Sequence, residues 1–292
     1  MIAADLVCVG ESFEDLIFAG LEHLPKLGEE IRTSSFVRTF GGGATITAVG
    51  ASRLGVATRI VSGLSDGAAA RLRAEGVQVE NLRKRPEPHA VTVALSTPKD
   101  RAFATFEGVN ATMGPRFVSA LAKVRARIVH CALCPRDIVP LVHELEAARK
   151  RGTLVSLDFG HDLNLARDKN LPRLIAESDF LLINEDEAKL YSRQDSLSRA
   201  EVFWREHSKN TVIKLGPRGS RWISAKGTVE EPATQVRAVD TTGAGDAFNA
   251  GFLAGVLSGL SPRRILRLGT IVGARSTGAL GGLDGLPRLE EL

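Results

Sequence analysis

Apolar residues in this chain follow two rhythms, and their alternation predicts most of the fold. Leu6, Val7, Cys8 and Val9 form an unbroken apolar run closed by Gly10, as in a strand covered on both faces. Similar runs recur at 58–62, 128–131, 153–157, 180–183 and 211–215. Between them the spacing is helical at 44–54, 68–75, 137–151 and from 185 onward. The first two helices stop at Gly55 and Gly76, the residue a helix C-terminus accepts most easily. Strands alternating with helices of this length predict an α/β fold: a mostly parallel sheet flanked by helices. Residues 15–19, 30–38, 90–96 and 101–106 instead alternate polar and apolar positions, as half-exposed strands do. Thr97, Pro98, Lys99 and Asp100 supply a hairpin turn between the last two. These strands are expected to form a small β-sheet lid, over about 13–35 and 88–109, on a single domain spanning 1–292.

Composition narrows this little. A chain of 292 residues can bury a sizeable core without disulfides or metals. The net charge of +4 is mild, and Arg149, Lys150 and Arg151 read as a basic helix end, so no nucleic-acid partner is expected. No apolar run approaches the ~18 residues of a membrane span. Three cysteines make an odd count without a disulfide framework, and the opening residues lack a leader pattern; the expected location is cytoplasmic. Cys131 and Cys134 have C-x-x-C spacing but no second pair to complete a zinc site, and read as a buried strand-end pair. His130, His143 and His161 are scattered; only His161 follows a predicted strand end, where such sheets bind ligands. Arg101, in the hairpin, reads as solvated.

The chemistry concentrates near the C-terminus, in Asp240-Thr-Thr-Gly-Ala-Gly-Asp246 followed by a long small-and-apolar helix. Unpaired N–H groups and the positive end of the dipole make a helix start an anion site. Gly243 and Gly245 let that backbone approach a phosphate without a Cβ in the way. Asp246 then reads either as a cap or as a base beside the phosphate. There is no G-x-x-x-x-G-K-[ST] and no G-x-G-x-x-G after the first strand, which excludes P-loop and dinucleotide sites.

The whole run resembles the C-terminal signature of the ribokinase-like (PfkB-type) carbohydrate kinases. Gly41 and Gly42 with the helix ending Ser52-Arg53-Leu54-Gly55 resemble the family's N-terminal signature. Phe106-Glu-Gly-Val-Asn110, Asn184-Glu-Asp-Glu187 and Ile213-Lys-Leu-Gly216 are similar to further family elements in the same order. The resemblance implies a ribokinase-like fold and ATP-dependent transfer of a phosphoryl group to a hydroxyl of a sugar. It makes Asp246 the general base and the backbone of Gly243, Ala244 and Gly245 the anion hole. Asp15, Gly42 and Gly43, with Asp246, would bind the sugar. ATP would lie along Lys214, Gly216 and Gly219, along the 236–245 loop with Thr242, Gly243 and Gly245, and along 271–282. Asn184 and Glu187 would hold Mg²⁺ through water, and Asp240 and Thr242 would contribute to a monovalent-cation (K⁺) site. A homodimer through the lid is expected, as in many relatives.

Two departures bear on the substrate. The family's usual sugar-binding asparagine is Ile46 here, so either the substrate has an apolar or missing group there or Thr45 or Thr47 supplies the hydroxyl. The family's Asp-x-Asn-x-Arg run is Asp158-Phe-Gly-His-Asp162. A nucleoside kinase of the same fold is therefore the second expectation, and a non-catalytic binding protein that kept the fold the third.

Overall fold

The computed structural model describes residues 4–97 and 100–292. From the N-terminus, β1 (Leu6–Gly10) enters the core, β2 (Phe13–Ala19) and β3 (Ser35–Gly41) leave it, and α1 (Gly43–Arg53) returns. β4 (Thr58–Ser62), α2 (Asp66–Ala74) and β5 (Gln78–Asn81) follow, then β6 (Val91–Ser96) and β7 (Arg101–Phe106). Next come α3 (Gly114–Leu121), β8 (Ile128–Ala132), α4 (Ile138–Lys150), β9 (Leu154–Asp158), α5 (Leu163–Arg167) and α6 (Leu171–Ala176). β10 (Phe180–Asn184), α7 (Glu185–Ser192), α8 (Leu197–His207) and β11 (Asn210–Lys214) continue the alternation. A hairpin of β12 (Ser220–Ser224) and β13 (Gly227–Glu231) precedes the last long helices, α9 (Ala244–Leu257) and α10 (Pro262–Ser276).

Nine strands form the main sheet in the order β13-β12-β11-β10-β9-β8-β1-β4-β5. The run from β11 to β5 is parallel, and β12 and β13 close one edge antiparallel. Side chains alternate faces along each strand, so β1 supplies both cores. Val7 and Val9 pack with Leu145 and Trp204 on one face, and Leu6 and Cys8 with Phe252 on the other. That explains why the strand reads as continuously apolar.

The second sheet has the order β3-β2-β6-β7. β6 and β7 pair antiparallel as the hairpin pattern predicts; its tip, Pro98 and Lys99, lies outside the described residues. β3 begins at Ser35 rather than at residue 30 and runs on to Gly41. Ser35 lies opposite Ala19, and the polar stretch before it is tied instead by Thr33, whose hydroxyl donates to the Ala19 carbonyl at 2.6 Å. The small sheet thus includes the approach to the glycine turn. No helix among the described residues is long and apolar enough to cross a membrane.

Candidate active site

Parallel pairing brings the carboxyl ends of the central strands together. Gly10 lies opposite Ala132, Ala132 opposite Asp158, and Asn184 opposite Lys214. Crevices at such ends are where α/β sheets bind ligands. A Cβ on Gly10 would strike the Ala132 carbonyl, so the first of these positions must be glycine.

On one side of the row stands the turn into α1. Gly42 has φ 96°, and a Cβ there would collide with the Glu11 carbonyl. Gly43 follows, where a Cβ would lie 3.0 Å from Ala132 Cβ and 3.1 Å from Asp246 Oδ1. Asp15 projects from β2 with its carboxylate against Gly41, a contact that only glycine permits. Burial and the nearby charge of Asp240 push the Asp15 carboxyl up to about 7.

On the other side, Gly243 takes φ 74° and turns the chain into α9, whose first turn carries Asp246. Asp246 keeps part of its surface open, yet its carboxyl sits deep. Burial, with the charges of Asp158 and Glu187, pushes it up to about 7 against the pull of Lys214. Thr47 Oγ1 donates to the Asp246 carbonyl at 3.2 Å, tying α1 to the same turn.

Ile46, at the position of the family's usual asparagine, packs against the glycine turn. Only 3% exposed, it faces the backbone of the glycine turn: a Cβ on Gly243 would lie 2.6 Å from Ile46 Cδ1, and one on Gly282 would also clash with it. It wedges two loops together. Of its neighbours, Thr47 is bonded to Asp246, whereas Thr45 Oγ1 is buried without a partner.

A cavity of about 310 Å³ opens beyond Gly245, lined by Lys214, Gly216, Gly219, Val236, Gly245 and Gly273 among others. The three segments assigned to ATP meet there. Thr242 and Gly243 are not in its wall; Thr242 turns its hydroxyl onto Asp240 at 2.7 Å. Lys214 lends the cavity its side, but its ammonium points to Asp158 Oδ2 at 2.8 Å and Asn249 Oδ1 at 3.3 Å.

Asn184 and Glu187 form a capping box on α7: Glu187 N–H donates to Asn184 Oδ1 at 2.9 Å, and Asn184 N–H to Glu187 Oε2 at 2.8 Å. Burial and the charge of Asp158 raise the Glu187 carboxyl above its ordinary range. Three carboxylates (Asp158, Glu187 and Asp246) thus act on one ammonium. Among the described residues no group of three or more ligating side chains is placed to hold a metal ion directly, so a magnesium ion here would be held through water.

Asp240 fits a monovalent cation poorly. Its Oδ1 accepts from Thr242 N–H at 2.9 Å and Arg101 at 3.2 Å besides the Thr242 hydroxyl, and its Oδ2 from Gly281 N–H at 2.9 Å. Arg101 also donates to Thr241 Oγ1 at 3.0 Å. A guanidinium already supplies the positive charge there. Arg101 had read as a solvated hairpin residue, and no local signal announces a partner 139 positions away. The Cys131 and Cys134 thiols are free and pushed up to about 12 by burial, which leaves them unreactive. His161 is exposed.

The profile of the pfkB family carbohydrate kinases matches residues 3–288. The chain belongs to this family and is a kinase acting on a hydroxyl group. It is 26% identical to a nucleoside kinase of Methanocaldococcus jannaschii over 98% of this chain and 95% of that protein. It is 29% identical to a ribokinase of Arabidopsis thaliana over 98% of this chain and 79% of that protein. The solved ribokinase from Thermotoga maritima superposes with TM-score 0.78 at 24% identity, covering 99% of this chain and 97% of its own. The adenosine kinase from Sinorhizobium meliloti does so with TM-score 0.83 at 21% identity, covering 99% and 98%. The ribokinase fold expected from the sequence is the fold observed.

Proposed function

We propose that the chain transfers the γ-phosphoryl group of Mg-ATP to a hydroxyl of a sugar or sugar-like small molecule. The observation that carries this reading is the position of Asp246. It stands between the Gly43 turn, where a Cβ would lie 3.1 Å from its Oδ1, and Gly245, which lines the 310 Å³ cavity, so one carboxylate can face an acceptor on one side and a nucleotide on the other. Asp15, Gly42 and Gly43 bind the acceptor and the small sheet covers it as a lid. The cavity takes the adenosine of ATP. Mg²⁺, held through water by Asn184 and Glu187, would neutralise charge on the phosphates.

The protein's own steps are few. Asp246 takes the proton of the hydroxyl as that oxygen bonds to phosphorus and the bond from phosphorus to the ADP oxygen breaks. Backbone N–H groups of Gly243, Ala244 and Gly245 meet the charge spread over the transferring oxygens. An acid raised to about 7 is better matched to neutral pH than an ordinary aspartate. The test is ADP release across a panel of sugars and nucleosides. Abandoning the reading would require that no acceptor be phosphorylated and that Asp246→Asn leave ligand-stimulated ATP turnover unchanged.

A pH profile follows. Asp246 must be ionised to accept a proton, and Asp15 is raised to about 7 as well. Below pH ~7, kcat/KM is expected to fall about tenfold per unit, and more steeply where both carboxylates must be ionised. A profile flat from pH 5 to 8 contradicts this assignment.

A nucleoside as acceptor is the second reading, favoured by a separate apolar cavity. About 390 Å³ in volume, it is lined by Glu11, Asn110, Phe117 and Leu133 among others. The carbonyl of Glu11 touches the Gly42 turn, and Asn110 Oδ1, buried and unpartnered, could accept from a base.

The expected homodimer has support in β7. This edge strand exposes Phe103 and Phe106 at 54% and 57%, and unpaired edges invite association. Sedimentation equilibrium should give twice the mass of 31.2 kDa, and Phe103→Lys should return the monomer.

A further inference from the structure

The sheet ends beneath the glycine turn in a buried charged cluster: Lys214 lends the nucleotide cavity a wall, but its ammonium is turned away onto other residues. Lys214, the last residue of β11, reaches back with Nζ to Asp158 Oδ2 at 2.8 Å. Asn249, fully buried one turn beyond Asp246 on α9, donates to the same Oδ2 at 2.7 Å and accepts from Lys214 at 3.3 Å. The side chains of Lys214 and Asp158 are 13% and 10% exposed. Burial lowers the His130 imidazole to about 4, so it adds no positive charge to the cluster at neutral pH. The ammonium lies directly under the anion hole: a Cβ on Gly245 would be 3.4 Å from Nζ.

A buried ion pair is weak evidence of stability, since a packed apolar pair often holds a core as well. Stability alone therefore gives no reason for a cation here. The electrostatics of the site do. One ammonium faces the carboxylates Asp158, Glu187 and Asp246 in a pocket built to receive a further anion. Without it, Asp246 and an arriving phosphoryl group would meet uncompensated negative charge in a dry site, where such repulsion is strongest.

We propose that Lys214 is a positioning residue for phosphoryl transfer, a fixed counter-charge held by Asp158 and Asn249 that acts through Asp246 and the backbone of Gly245. The proposal deepens the kinase reading and rests on it. Lys214 keeps its three protons throughout; the hydroxyl proton goes to Asp246. The fixed ammonium attracts the Asp246 carboxylate through space and offsets charge as it spreads over the transferring oxygens.

The experiment separates charge from packing. Lys214→Met alone should lower both the melting temperature and kcat, because it strands the Asp158 carboxylate. The double variant Asp158→Asn with Lys214→Met removes both charges. It should melt within a few degrees of the wild type, yet keep a kcat about 100-fold lower with the acceptor KM little changed. A purely structural Lys214 predicts the opposite: recovery of kcat together with stability, to within about threefold of wild type, which overturns the proposal. Should the double variant not fold, Lys214→Gln, neutral but still able to donate to Asp158, is held to the same kcat criterion. The two readings fail separately. A wild type inert towards every acceptor and insensitive to Asp246→Asn removes the kinase reading and this one with it. An active wild type with an equally active double variant removes this one alone.

Discussion

Asp246→Asn is expected to reduce kcat about 1,000-fold while making the protein more stable at neutral pH. The first effect is the loss of the base. The second follows from the charge arrangement. In the folded chain the Asp246 carboxyl is raised to about 7 by burial and by the charges of Asp158 and Glu187, whereas unfolded it titrates near ~3.9. Between those values the folded state holds the proton more tightly, so stability falls as pH rises through that window and levels off above it. Asparagine has no charge to force into the site. The melting temperature of the variant should therefore exceed that of the wild type at pH 8, and the difference should shrink towards pH 4. A variant that keeps a tenth of wild-type kcat would show that another group takes the proton. A lower melting temperature at pH 8 would contradict the electrostatics described for the site.

Gly43→Ala is expected to lower kcat/KM about 100-fold and also to lower the melting temperature, because the methyl crowds Ala132. Gly43 is the first residue of α1 and does not need a left-handed backbone, so alanine costs the helix nothing. The added methyl would stand 3.1 Å from Asp246 Oδ1 and 3.0 Å from Ala132 Cβ, where the acceptor hydroxyl must come to meet its base. Displacing a reacting oxygen by about 1 Å is enough for a loss of this size. Unchanged kcat/KM would mean that the acceptor approaches Asp246 from another direction.

What the sequence makes legible, and what it hides, follows from the range of the interactions. β1, β4 and β8 to β11 stand out because strands buried on both faces are continuously apolar, and that signal is local. β5, β12 and β13 were not anticipated, since short edge strands mix polar and apolar residues without a clear period. α8 and α10 were missed too, although Ser261 and Pro262 form a recognisable helix start. In the site, Gly243, Gly245 and Asp246 can be read from their own chemistry, because a phosphate loop is written in consecutive residues. The contacts that complete it span the chain. Arg101 reaches Asp240, Lys214 reaches Asp158, and Asn249 joins them across 91 positions. Tertiary packing brings them together: the parallel sheet for Asp158 and Lys214, helix α9 for Asn249 and the lid strand β7 for Arg101. For the same reason the contact of Ile46 with Gly243 and Gly282 cannot be read from the sequence, since only packing brings these residues together.

The position of Ile46 has a practical consequence for anyone redesigning acceptor preference. Restoring the family's usual polar residue there is the change an alignment recommends. In this molecule it would withdraw a wedge that Gly243 and Gly282 have no side chains to replace. The three positions form one mechanical unit and would have to be exchanged as a set. Thr45, with its buried and unengaged hydroxyl, is the better place to begin.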